Sequence, residues 1–350
     1  MTTPDRSIVA ALAAALLFGL STPLAKTLVG SVSPLLLSGL LYAGSGLGLA
    51  AILIVRALLG GAPAITRPRG ADVGWLLGAI AAGGAIGPYL LMRGLQSTDA
   101  ATASLILNLE GVLTALLAWF VFKENFDRRI ALGMALIVAG GLVLSAGPLT
   151  HAASLGGVLA IVGACLAWAI DNNLTRQVSI HDAMFIACAK GLIAGGASLA
   201  LAVANGAQWP AAAVIAQAGL LGFVGYGLSL TLFVVALRGL GTARTGAYFS
   251  LAPFIGAGLA VALGAPLSTA LLAAGALMAA GVWLHLTEHH AHAHRHTAQT
   301  HAHAHLHDEH HRHEHAAGWD GAEPHTHVHA HTPLRHAHPH YPDVHHRHDH

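Results

Sequence analysis

Ten runs of roughly 20 apolar residues, parted by short Gly, Pro or charged breaks, fill residues 8–286 and leave few folds open to this chain. They are Ile8–Val29, Pro34–Leu58, Val73–Leu95, Ala101–Phe122, Ile130–Ala146, Leu155–Thr175, Ala183–Ala204, Ala211–Leu237, Thr245–Leu263 and Leu267–Leu286. Each is long enough to cross a bilayer as a helix. Only 9% of the 350 residues are charged, against roughly 25% in soluble domains. The class is therefore membrane-embedded. Arg6 ahead of the apolar run Ile8–Leu20 resembles a signal peptide, but further spans follow at once, so this run reads as an uncleaved first helix.

Basic residues in the short connections alternate. Arg56, Arg67 and Arg69 follow the second run, Lys123, Arg128 and Arg129 the fourth, Arg176 the sixth, and Arg238 and Arg244 the eighth. Connections after odd-numbered runs hold almost none. The positive-inside rule then makes these loops, and both chain termini, cytoplasmic.

The two halves of the body resemble each other. At an offset of 150, Leu16–Lys26 falls on Leu166–Arg176, pairing Phe18 with Trp168, Ser21 with Asp171 and Lys26 with Arg176. At an offset of 142, Leu95–Gly111 falls on Leu237–Pro253, pairing Asn108 with Ser250 and Glu110 with Ala252. An odd number of spans per half inverts the second half relative to the first. Inverted repeats place a solute site at their interface near mid-membrane and support alternating access. The predicted fold is an all-α polytopic membrane protein of ten helices, with five-helix repeats over residues 1–147 and 148–287 and a disordered His-rich tail over 288–350.

Ionisable and amide groups inside such helices carry the functional information, because an ionised group facing lipid at mid-span costs roughly 3 kcal/mol. Within Ser104–Glu124, Asn108 and Glu110 interrupt an apolar run near its middle. Glu110 is a substrate or coupling candidate; the alternative is a protonated side chain or a structural hydrogen bond to a neighbouring helix. Asp171, Asn172 and Asn173 are consecutive, and residues about 100° apart on a helix cannot all face lipid, so part of this cluster must line a polar interior. Lys190 needs an anion, which Asp171 or Glu110 can supply, and an Asp171–Lys190 tie between neighbouring spans is the structural alternative. Tyr42, Tyr226 and Tyr248 serve as packing groups or cavity walls, with Tyr42 and Tyr248 counted among the solute-site candidates. Lys26 and Arg93 lie nearer span ends, where long side chains snorkel to the interface. Pro23, Pro88 and Pro253 are expected to kink their helices. Cys165 and Cys188 sit in apolar runs and read as small core residues. No phosphate loop, nucleophile triad or nucleotide fingerprint is present, so neither an ATP-driven pump nor an enzyme is indicated, and nothing points to nucleic acid.

These features resemble the drug/metabolite transporter superfamily, in its EamA branch of tandem five-helix repeats, over Ala10–Leu286. The segments that carry the resemblance are FVFKEN at Phe120–Asn125, ALGMALIVAGGLVL at Ala131–Leu144, and LAVALGAPLSTALLAAGALMAAGVWL at Leu259–Leu284. The family usually has a glutamate at the end of that helix in both halves. Glu124 fits the first, whereas Ala265 stands at the second, so a symmetric glutamate pair is not implied. The resemblance implies secondary transport, often export of small organic solutes, with no cofactor required.

All but His151 and His181 of the 27 histidines lie from His285 onward. An offset of 35 lays residues 290–315 on 325–350 and keeps eleven histidine pairs in register. His290, His292, His294, His296, His301, His303, His305, His310, His311, His313 and His315 match His325, His327, His329, His331, His336, His338, His340, His345, His346, His348 and His350. Such a chain buries no core and is expected to be disordered without metal. Alternate residues of an extended strand share a side about 7 Å apart, and neutral imidazoles suit Zn, Ni, Co or Cu(II). The tail is thus a divalent-metal candidate; the alternatives are a neutral repeat expansion, or a polycation that charges as pH falls through about 6.5 and is drawn to anionic lipid. Three functional readings stand: an inner-membrane secondary transporter exporting a small metabolite with an accessory metal-binding tail, a divalent-metal exporter fed by that tail, or a membrane-anchored metal buffer or sensor.

Overall fold

The computed structural model describes residues 3–59, 68, 70–122, 128–146, 155–179 and 181–287, and the backbone of four strand segments between 291 and 339. Arg67, Lys123 and Glu124 lie outside the described residues, as do His290, His310, His311, His313, His315, His340, His345, His346, His348 and His350; Arg69 does too. The body is helical throughout. Its elements are α1 (Thr3–Leu28), α2 (Pro34–Leu58), α3 (Ala71–Ala79), α4 (Gly87–Leu95), α5 (Ala100–Ile106), α6 (Leu109–Phe122) and α7 (Arg128–Ala146). The second half adds α8 (Leu155–Val178), α9 (Ala183–Ala204), α10 (Ala212–Gly222), α11 (Ser229–Phe249), α12 (Ala252–Ala262) and α13 (Thr269–Leu286). Among the described residues, eight helices are long and apolar enough to cross a membrane. The expected fifth and tenth spans contain the shorter apolar stretches Ala131–Leu144 and Thr269–Leu284.

Several ends follow from local chemistry. Ser33 caps α2, its hydroxyl accepting from the Leu36 N–H, with Pro34 in the first turn. Asp99 caps α5 at the Thr102 N–H, and Asp182 caps α9 at the Phe185 N–H. Lys26 does not simply snorkel: its ammonium donates to the Leu95 and Thr98 carbonyls, where the α4 C-terminus leaves acceptors without intrahelical partners. Pro23 lies inside the unbroken α1, whereas Pro88 and Pro253 sit in the first turns of α4 and α12. Pro253, just after a helix break, gives up an N–H that had no intrahelical partner; Pro88 follows the π segment without a break, so its missing N–H leaves a carbonyl of the preceding turn free.

Two kinds of backbone irregularity organise the bundle. A π-helical segment, Ile80–Ile86, joins α3 to α4, and another, Phe223–Leu228, joins α10 to α11. The fourth apolar run is broken at Leu107–Asn108 between α5 and α6, and the ninth at Ser250–Leu251 between α11 and α12. Both pairs recur at offsets of 142 to 143 residues, within one residue of the 142 found in the sequence. Helices approach closely where side chains are smallest. A Cβ on Gly46 of α2 would run into the Gly191–Leu192 backbone of α9, and α2 and α9 form one of the most extensive helix pairs. A large cluster of buried apolar side chains, including Leu36, Leu41, Leu91, Ile106, Ile161 and Ile186, ties the two halves together.

Beyond the bundle, the tail contains β1 (Ala291–His296), β2 (Gln299–His305), β3 (His325–His331) and β4 (Leu334–Pro339). β1 pairs antiparallel with β4, and β2 with β3. Over these segments the expectation of a disordered tail gives way to paired strands, consistent with a period-two alternation of histidine and small residues.

Candidate functional site

The helix break at Leu107–Asn108 puts Glu110 in the first turn of α6, facing α8. Glu110 is half-buried, and its Oε1 accepts from Asn172 Nδ2 at 2.8 Å. The same Nδ2 lies 3.4 Å from Thr114 Oγ1, one turn further along α6. Asn173 points elsewhere on α8: its Nδ2 donates to the Thr114 and Ala169 carbonyls at 3.2 and 2.9 Å, and its Oδ1 has no partner. Asn108 is buried, donating to the Leu105 carbonyl at 3.2 Å and lying 3.7 Å from Met278 Sδ, with its Oδ1 likewise unpartnered. Buried amides left half-satisfied in an apolar bundle cost free energy, which singles out this region for a polar ligand or water.

Asp171 takes a different role from Asn172. Its Oδ1 accepts from Lys190 Nζ at 2.5 Å and from Thr175 Oγ1 at 2.7 Å, while Lys190 also donates to Thr175 at 3.0 Å. Lys190 is 1% and Asp171 5% exposed, so the pair is closed off and internally satisfied. It is the tie between α8 and α9 weighed from the sequence. Asp171 also packs against Gly83 of the first π segment, where a Cβ would collide with its carboxylate.

The π segment frees a carbonyl that two aromatic side chains share. Tyr42 Oη and Trp168 Nε1 donate to the Gly83 oxygen at 2.8 and 3.0 Å. From there an aromatic wall continues: Trp168 lies 5.6 Å from Phe18 edge-on, Phe18 lies 5.7 Å from Tyr226 and 5.4 Å from Phe249, and Tyr226 lies 5.5 Å from Tyr42. Tyr42 therefore joins this wall. Tyr248 does not; it packs on Ala10, Ala11, Ala236 and Leu240. Tyr226, weighed from the sequence as packing group or cavity wall, is part of this wall; the residues that sequence reasoning did not single out for the site are Thr114, Phe18, Trp168 and Phe249. One signal for two of them was present: Phe18 and Trp168 align at the 150-residue offset, and here their rings touch.

Among the described residues of the helical body, no group of three or more His, Cys, Asp or Glu side chains is placed to hold a metal ion. The cysteines Cys165 and Cys188 are buried and free.

Residues 5–146 match the EamA-like transporter family. The chain carries an EamA domain. It is homologous to transporters of the drug/metabolite type. An uncharacterized transporter of Methanothermobacter thermautotrophicus is 28% identical over 287 residues, covering 77% of this chain and 83% of that protein. The probable 4-amino-4-deoxy-L-arabinose-phosphoundecaprenol flippase subunit ArnE of Pseudomonas fluorescens is 39% identical over 72 residues, which is 21% of this chain. That match spans 62% of the flippase subunit's length. One protein solved by crystallography superposes with a TM-score of 0.62 at 21% identity, over 79% of this chain and 94% of its own; it shares the fold. The EamA domain contains α1 to α7, and hence Glu110, Asn108, Thr114 and Tyr42, while Asn172 and the Asp171–Lys190 pair come from the second half. Residues 5–146 are thus similar to a transporter family, and the described residues include eight helices long and apolar enough to cross a membrane.

Proposed function

We propose that this protein is a secondary carrier of the inner membrane that exports a small organic solute by alternating access. In this reading its ten helices form two inverted five-helix repeats, and both termini are cytoplasmic. The observation that carries the reading is the half-buried Glu110–Asn172–Thr114 group beside a break in α5–α6. Discontinuous helices are where transporters of inverted-repeat design bind solute and coupling ions, because the interrupted backbone and the flanking side chains supply polar contacts inside the membrane. The recurrence of that break, and of the π segment, within one residue of the offset relating the two halves supports a repeat architecture whose irregular turns face one another around the solute path. Aromatic rings from both halves, Phe18, Tyr42, Trp168, Tyr226 and Phe249, supply its apolar walls. Glu110 exchanges a proton against the solute, and the Asp171–Lys190 pair holds α8 and α9 together without titrating in the cycle. The His-rich tail is a cytoplasmic divalent-metal ligand accessory to the carrier.

The test is counterflow in proteoliposomes loaded with a panel of amino acids, amines and organic acids, for the wild type and Glu110→Gln. Loss of pH-dependent uptake with counterflow retained fits proton coupling at Glu110. Unchanged transport with an unchanged pH profile removes Glu110 from the mechanism. The reading in which the body itself passes metal is less favoured, since among the described residues of the body no group of three or more His, Cys, Asp or Glu side chains is placed to hold an ion.

A further inference from the structure

By register, each ladder carries its opposed histidines on one face, with Ala, Thr and Val on the other in β2–β3 and Ala, Pro and Arg on the other in β1–β4. In β1–β4, His292 lies opposite His338 and His294 opposite His336; on the other face Ala293 meets Ala337 and Arg295 meets Arg335. In β2–β3, His301 lies opposite His329, His303 opposite His327 and His305 opposite His325, while Ala302 meets Val328. Paired residue numbers have one constant sum across both ladders, so the two are halves of a single fold-back of the tail on itself. The duplicated unit makes this feasible. A His-x-His run reads the same in either direction, so two copies of it match when paired antiparallel.

Such a ribbon has no reason to persist unaided. A lone two-stranded ladder is marginal in water, and the register sets the like-charged residues Arg295 and Arg335 opposite each other, which destabilises a ladder. The one resource the register concentrates is imidazole. Directly opposed positions stand about 5 Å apart at Cβ, and positions two apart along a strand about 7 Å. Two adjacent His–His rungs therefore form a quartet of ligand positions on one face. Four neutral imidazoles within that span suit a borderline divalent ion, and binding that requires both strands contributes its free energy to folding.

We infer that the tail is a metal-zipped hairpin: divalent transition-metal ions, Zn(II) foremost, bridge the first histidine-rich unit to the second at the rungs His292–His338 with His294–His336 and at His301–His329 with His303–His327. The ions close the ribbon and shorten the reach of the cytoplasmic tail. The inference rests on the metal-binding part of the functional reading and is independent of what the helical body transports.

The experiment uses the full chain in detergent, titrated with Zn(II) against a competing chromophoric chelator. One variant exchanges neighbours without changing composition: Arg335→His, His336→Arg, Ala337→His and His338→Ala. It moves both β4 histidines to the opposite face, while the intact β2–β3 ladder pins the register. A second preparation carries pyrene on Ala302→Cys and Val328→Cys, opposed positions of the small-residue face. The expected result is a Zn-dependent pyrene excimer and, in the exchanged variant, a β1–β4 site weakened by more than the roughly 10–100-fold that loss of an outer-shell partner alone costs, because two of its four ligands are displaced. Zn binding equal to wild type in the exchanged variant overturns the register-coded sites while leaving metal binding by the tail intact. An excimer insensitive to Zn overturns metal-driven closure. No Zn bound by the full chain removes the metal-binding reading altogether, without touching the transport reading.

Discussion

At Asp171 and Lys190 two opposite charges sit almost wholly out of reach of solvent, joined at 2.5 Å and sharing Thr175. The energetics of such a pair are asymmetric. Removing one partner leaves an uncompensated buried charge and costs about 3–5 kcal/mol, whereas replacing both with apolar groups of similar volume is often close to neutral. Asp171→Ala and Lys190→Met are each expected to lower the unfolding midpoint strongly in detergent, and an Asp171→Leu/Lys190→Met double variant to recover most of the loss. Recovery of transport in that double variant would further separate the pair from proton coupling, which in this scheme belongs to Glu110. At this scale the sequence was informative in one respect: an acid and a base on consecutive apolar runs have few alternatives to each other. Division of labour among Asp171, Asn172 and Asn173 was not legible, because it depends on rotation of α8 against α6 and α9. Thr114 and the Phe18, Trp168 and Phe249 rings of the aromatic wall were hidden for a similar reason. A threonine or a ring in an apolar run carries no mark of which neighbour it will meet.

The elements themselves were legible where they end in a cap or a turn and opaque where they bend. α2 occupies the span expected for it, Pro34–Leu58, because Ser33 and Pro34 define its start. The break before Glu110 lies in a run that is almost continuously apolar, and the π segments lie in Gly- and Ala-rich stretches with no breaker other than the following Pro88. π-helical backbone is uncommon and clusters at functional sites. Here the first such segment leaves the Gly83 carbonyl to be satisfied from outside its own helix, by Tyr42 and Trp168 together. Since one donor suffices to avoid an orphaned carbonyl, Tyr42→Phe alone is expected to cost about 1 kcal/mol or less. Removing the second donor as well, in Tyr42→Phe/Trp168→Phe, leaves the oxygen bare and should cost more than the two single losses combined. A double-mutant cycle on unfolding in mixed micelles measures that coupling; simple additivity would mean that the π segment does not depend on the shared acceptor.

For the whole molecule, the decisive quantity is the side of the membrane on which each connection lies. Among the described residues, eight helices meet the length and hydropathy needed to span, and the two shorter apolar stretches determine whether the chain crosses eight or ten times. An even number of crossings returns the C-terminus to the side of the N-terminus in either case, but the connections beyond α7 change sides if that helix fails to cross. Asn205, at the end of α9, and Ser179, at the end of α8, report this directly. With ten crossings and basic loops inside, Asn205 faces the periplasm and Ser179 the cytoplasm. Since Cys165 and Cys188 are buried, their background in thiol labelling is small. A membrane-impermeant maleimide applied to intact cells is expected to label Asn205→Cys, and to label Ser179→Cys only after permeabilisation. The opposite pattern would mean that α7 does not span. The second half would then have the same orientation as the first, and Glu110 and Asn172 would meet without the inverted symmetry that lets a carrier expose one site to either side in turn.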